Sequence, residues 1–167
     1  MKNVYLIGVP GCGKSHIGQM LSRKLGRTFV DTDDLIEKKT GKRVSILFQE
    51  EGEEAFRTLE TDIIKELSQK KNLIVATGGG IVEKPENVDL MRSEGLVIWL
   101  RRDRDKVLSS HRLLERPLLK DGPDAFLALA DKREPLYKEA CHDMVHNNDN
   151  RLECLKDITR IINTRGK

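Results

Sequence analysis

Along the chain, short apolar runs rich in β-branched residues alternate with longer stretches in which apolar positions recur every three or four residues. The runs cover 4–7, 28–30, 73–76, 96–100 and, less sharply, 143–146. The helical spacing covers 15–25, 34–40, 53–69, 85–93, 104–114, 124–140 and 152–163. Strands separated by helices pair in parallel, and a parallel sheet needs helices over both faces. The expected class is α/β: a three-layer α/β/α sandwich around a five-stranded parallel sheet. No repeat, low-complexity tract or linker interrupts the pattern, so 1–167 is expected to form one domain. The segment 113–123 holds two prolines, a glycine and several charges, which predicts a mobile loop.

Composition narrows the classes of function. Charged residues make up 34% of the chain, yet 30 Lys+Arg stand against 27 Asp+Glu, a net charge of +3. A duplex-binding protein usually shows a concentrated basic excess, so no nucleic-acid partner is expected. Arg101, Arg102, Arg104 and Lys106 do cluster, but a solvated helix face accounts for them equally well. Cys12, Cys141 and Cys154 are odd in number, widely spaced and without a CxxC, which suggests neither a disulfide framework nor a metal site. The first eight residues have too short an apolar run for a secretory segment, and no stretch approaches the roughly 20 apolar residues that span a bilayer. A cytoplasmic protein with no membrane partner is expected.

The strongest local pattern is Gly8-Val9-Pro10-Gly11-Cys12-Gly13-Lys14-Ser15, a complete G-x-x-x-x-G-K-[ST] between a predicted strand and a predicted helix. Its glycines let successive N–H groups turn toward phosphate oxygens, and the helix that follows presents its positive end to the same anion. Lys14 supplies charge to the β- and γ-phosphates, and the Ser15 hydroxyl is suited to Mg²⁺. A nucleotide triphosphate is therefore expected, with Mg²⁺. Cys12 reads best as a small space-filling residue. The motif says nothing about the phosphate acceptor.

Three further groups bear on that acceptor. Asp31, Asp33 and Asp34 follow the second strand, at the edge where open α/β sheets bind ligands. Asp34 can be spent as a helix cap. Asp31 and Asp33, two apart in an extended segment, are expected on one face. Arg57 and Glu60, three apart in a predicted helix, share a face with Glu53, as a surface ion pair or as part of a site. Gly78, Gly79 and Gly80 end the third strand, where bare backbone could approach a ligand or merely form a wide turn.

Gly11-x-Gly-Lys-Ser, Asp31-x-Asp33, Phe56-Arg57-x-x-Glu60, Gly78-Gly79-Gly80, Arg116-Pro117-Leu118-Leu119 and Arg133-x-x-Leu136-Tyr137 occur here in one order. In that order, and over nearly the whole chain, they resemble the shikimate kinases. The resemblance implies a P-loop kinase fold with a lid at about 109–123 and a shikimate-binding region at about 33–61. It implies transfer of the γ-phosphoryl of ATP to the 3-hydroxyl of shikimate. Asp33 matches the residue that holds ring hydroxyls and serves as general base. Arg57 and Arg133 match the grip on the carboxylate, with Glu60 orienting Arg57 and Gly78, Gly79 and Gly80 contributing backbone. Asp31 would act on the metal through water, and Arg116 matches a lid arginine over the phosphates. The implied nucleotide set is Gly11, Cys12, Gly13, Lys14, Ser15, His16, Arg112, Arg116 and Arg151.

One departure concerns the adenine. Family members carry an arginine upstream of Arg-Pro-Leu-Leu, where positions 107–111 here read Val-Leu-Ser-Ser-His. Either Arg112 takes its place or that contact is lost. Another small-molecule kinase, such as a gluconate kinase, remains an alternative, as does a silent nucleotide-binding module. The latter needs a missing catalytic position, and Lys14, Ser15, Asp31, Asp33 and Arg116 are all present. A monomer is expected.

Overall fold

Strands β1 (Asn3–Ile7), β2 (Thr28–Asp31), β3 (Leu73–Ala76), β4 (Gly95–Arg101) and β5 (Asp143–His146) form one sheet in the order β2-β3-β1-β4-β5. Every pairing is parallel, with Val4 opposite both Ile74 of β3 and Leu96 of β4. The structure, a computed structural model, describes residues 2–109 and 122–165.

The two-residue period of a strand sorts the core into two halves. Tyr5, Ile7, Val75, Val97 and Trp99 face one side. There they meet helices α3 (Val44–Ser68), α4 (Pro85–Glu94) and α6 (Pro123–Ala140). Val4, Leu6, Ile74, Ile98 and Leu100 face the other side and meet α1 (Lys14–Leu25) and α7 (Arg151–Arg165). Burial on both sides explains why the central strands are apolar throughout and show no alternation in sequence. The expected α/β/α sandwich with five parallel strands is the fold observed.

Boundaries differ in physically instructive places. Helix α2 (Thr32–Thr40) starts two residues earlier than its apolar spacing predicts, because Asp31 is its cap and accepts from Asp33 N–H at 3.0 Å. Asp34, the expected cap, lies inside the helix. Asp33 is helical as well, so the extended-segment reason for placing Asp31 and Asp33 on one face does not hold. Helix α3 begins at Val44, nine residues before its predicted start. Gly52, at φ 84° and ψ 171°, leaves the helical conformation, so the range holds two helical stretches that meet at a kink, and this break hid the first stretch. A 3₁₀ turn at Ile81–Glu83 was not expected, and α5 (Arg104–Leu108) lies within the predicted 104–114, of which 110–114 fall outside the described residues.

The strands share one direction, so their carboxyl ends gather at one edge. The phosphate-loop motif follows β1, Asp31 ends β2, the three glycines follow β3, Arg102 follows β4 and Asn147 follows β5. That edge is where an open parallel sheet holds its ligands.

Candidate active site

The motif after β1 folds as a loop whose glycines need positive φ: 145° at Gly8, 81° at Gly11 and 99° at Gly13. Gly13 is doubly constrained, since a Cβ there would sit 2.5 Å from Asn147 Nδ2. Lys14 is buried with its ammonium on Gly8 O at 2.7 Å and Val9 O at 2.9 Å. The Ser15 hydroxyl donates to Asp31 Oδ2 at 2.5 Å, which joins the phosphate loop to the end of β2. Cys12 is fully buried in the core beneath the loop, and His16 is exposed on the first turn of α1.

A cavity of about 680 Å³ lies beside this loop. Pro10, Asp33, Phe48, Arg57, Gly79 and Arg133 are among the residues around it. Arg57 and Arg133 are 4% and 1% exposed, so the solvated ion pair considered for Arg57 is not what the fold builds. Arg57 NH1 donates to Glu60 Oε2 at 2.5 Å, and its NH2 lies 3.2 Å from Glu53. Small residues at 78–80 are required by close approach. A Cβ on Gly78 would stand 2.5 Å from Glu60 Oε1 and 3.0 Å from Asp33 Oδ1, and one on Gly80 would strike the Arg57 guanidinium. The Gly78 N–H is already taken by Thr32 Oγ1 at 3.0 Å, and Gly79 O accepts from Tyr137 at 2.6 Å. Burial raises the Tyr137 phenol far above its usual value, so it remains a donor.

Glu60 is fully buried. Burial pushes its carboxyl up to about 7, with Arg57 pulling downward and the nearby Asp33 charge adding to the rise. The native state therefore keeps a proton that the unfolded chain loses above its ordinary value of 4.5. Glu60 accordingly removes stability as pH rises from 4.5 to 7, on the order of 3 kcal/mol at about 1.36 kcal/mol per pH unit. Urea unfolding at pH 5 and pH 7.5 should show wild type losing more stability than Glu60→Gln over this interval. Equal losses would mean that Glu60 is ionised throughout.

Around the phosphate loop the fold also makes contacts that no motif predicts. Asn147 Nδ2 donates to Cys12 O at 2.8 Å, and Arg102 NH1 reaches Gly11 O at 3.4 Å. Arg102 and 147–152 surround a second cavity of about 400 Å³, which includes the predicted Arg151. The neighbours of Arg102 in the basic run are engaged in ion pairs. Arg101 and Arg104 pair with Glu134, and Lys106 pairs with Asp149. Phe48, Phe56 and Phe126 add apolar wall to the larger cavity. Arg112 and Arg116, with most of the predicted lid, lie outside the described residues. Among the described residues no cluster of His, Cys, Asp and Glu forms a metal cage, and no helix is long and apolar enough to cross a membrane.

The family model described as shikimate kinase matches residues 10–163. A shikimate kinase from Clostridium botulinum is 44% identical over 163 residues, 97% of this chain and 98% of the relative. One from Prochlorococcus marinus is 47% identical over 142 residues, 83% of this chain and 72% of the relative. The solved structure of a shikimate kinase from Acinetobacter baumannii in complex with shikimate superimposes with a TM-score of 0.92 at 35% identity. That match covers 100% of this chain and 96% of the other.

Proposed function

This chain belongs to the shikimate kinase family, whose members transfer the γ-phosphoryl of ATP to the 3-hydroxyl of shikimate, and we propose how its own residues divide that work. The larger cavity takes shikimate. The observation that carries this reading is that one chamber holds two buried arginines, Arg57 and Arg133, together with the carboxylate of Asp33. Paired planar guanidiniums suit a single carboxylate, and an aspartate suits ring hydroxyls. Phe48 and Phe56 cover the apolar face of the ring. The phosphate loop and the cavity at Arg102 and 147–152 take ATP, with Lys14 leaving the Gly8 and Val9 carbonyls for the phosphates.

In the transfer, the 3-hydroxyl oxygen forms a bond to the γ-phosphorus as the bond from that phosphorus to the β–γ bridging oxygen breaks. The hydroxyl proton passes to Asp33, and ADP leaves with the bridging oxygen. Lys14 offsets charge on the phosphate oxygens, and Arg116 would do the same, the role that the resemblance implies for it. Mg²⁺ fits the oxygen pair of Ser15 Oγ and Asp31, the latter acting through water. When bound, the ion supplies charge neutralisation at the β- and γ-phosphates.

ADP release measured in parallel with shikimate, gluconate and nucleoside monophosphates tests this reading. Turnover is expected with shikimate, dependent on Mg²⁺ and abolished by a chelator. Comparable turnover of gluconate would show that Arg57 and Arg133 do not select the acceptor as described.

A further inference from the structure

The two arginines of the acceptor cavity come from helices far apart in sequence, Arg57 on α3 and Arg133 on α6. Both helices pack against the 3₁₀ turn Ile81–Glu83 that follows the three glycines. Glu83, the last residue of that turn, is 18% exposed and lies outside the cavity lining. Its Oε1 accepts from Arg133 Nε at 3.1 Å, and its Oε2 lies 3.3 Å from Arg57 NH2. One carboxylate thus spans both guanidiniums, an oxygen to each.

The choice of atoms matters. Engaging Arg133 at Nε keeps Glu83 away from NH1, and Arg133 NH1 is buried with no hydrogen-bond partner among the described residues. That nitrogen lies against Gly79, at the cavity. Two buried cations also repel one another, and a shared anion lets them stay assembled before any substrate arrives. Donors held in place before binding lose less freedom on binding.

We propose that Glu83 is a positioning residue for the acceptor, tying Arg57 to Arg133 so that both guanidiniums meet one carboxylate in a fixed orientation. The proposal rests on the reading that these arginines hold the carboxylate of shikimate. Glu83 touches no reacting atom, so its effect belongs in acceptor binding rather than in the transfer step.

The test is steady-state kinetics of Glu83→Ala and Glu83→Gln, with shikimate and with its neutral carboxamide. Glu83→Ala should raise KM for shikimate about tenfold or more, while kcat and KM for ATP change by less than about twofold. Glu83→Gln keeps one acceptor oxygen and should recover part of that loss. With the carboxamide, wild type and both variants should share one KM, a result that general loosening of the fold would not give. An unchanged KM for shikimate in folded Glu83→Ala overturns the proposal. So does a lowered KM, which would make Glu83 a competitor of the substrate carboxylate. If Glu83→Ala fails to fold, Glu83→Gln decides alone: KM raised for the acid only, or the proposal fails. Wild type that uses the carboxamide as well as the acid refutes the arginine reading itself. Wild type that discriminates, with KM held in both variants, refutes Glu83 alone.

Discussion

Asp33→Asn is expected to lower kcat by about a hundredfold or more, the usual consequence of losing a general base. The amide keeps the size and hydrogen-bonding reach of the carboxylate but cannot take the hydroxyl proton. Nucleotide affinity should hold, because Asp33 lines the acceptor cavity and the phosphate loop is anchored through Ser15 to Asp31 instead. Asp34→Asn sharpens the comparison. Burial, with Asp31 nearby, raises the carboxyl of Asp34, which also lines the cavity. The reaction as derived asks nothing of its basicity, so its kcat should stay close to wild type. Single-turnover rates with saturating ATP separate chemistry from product release. Equal losses at the two positions would show that the wrong carboxylate carries the proton.

Arg57→Ala should nearly abolish activity with shikimate, raising the barrier in kcat/KM by on the order of 2–5 kcal/mol for a truncated buried charge contact. The same change strips Glu60 of its 2.5 Å partner and leaves a fully buried carboxyl beside Asp33. A stability loss of about 3–5 kcal/mol is expected alongside, as when one member of a buried pair is removed. Calorimetry on protein shown to be folded distinguishes the two effects. ADP binding should remain near wild type while shikimate binding disappears. The reverse pattern would exchange the two sites.

How much of this was legible beforehand depended on the range of the signal. The central strands declared themselves because burial on both faces leaves no room for polar alternation at 4–7, 73–76 or 96–100. The phosphate loop was legible for a similar reason, since its φ values and close contacts restrict the residue types locally. The first stretch of α3 was not, because Gly52 and a run of glutamates broke the apolar spacing that marks a helix. The cap at Asp31 was missed because capping depends on where the helix begins, and three neighbouring aspartates offered three starts. The contacts of Glu83, Arg102 and Asn147 were not legible for another reason. Each takes its meaning from a partner tens of residues away, such as Arg133 for Glu83 or Cys12 for Asn147, and no spacing rule links such positions.

Strand order has a bearing on how the molecule is made. β1 comes first of the five strands along the chain and is the middle strand of the finished sheet. Its partners lie far downstream, with Val4 beside Ile74 and Leu96. Until about seventy residues have followed it, the run Val4-Tyr5-Leu6-Ile7 has neither edge paired. Long closures of this kind slow folding and leave apolar strands open to wrong partners. Polar Lys2 and Asn3 before the run Val4–Ile7, and the glycine-rich loop after it, keep that waiting segment short. Four consecutive apolar residues are enough for the centre of a sheet, and few enough to hold in water until the sheet arrives.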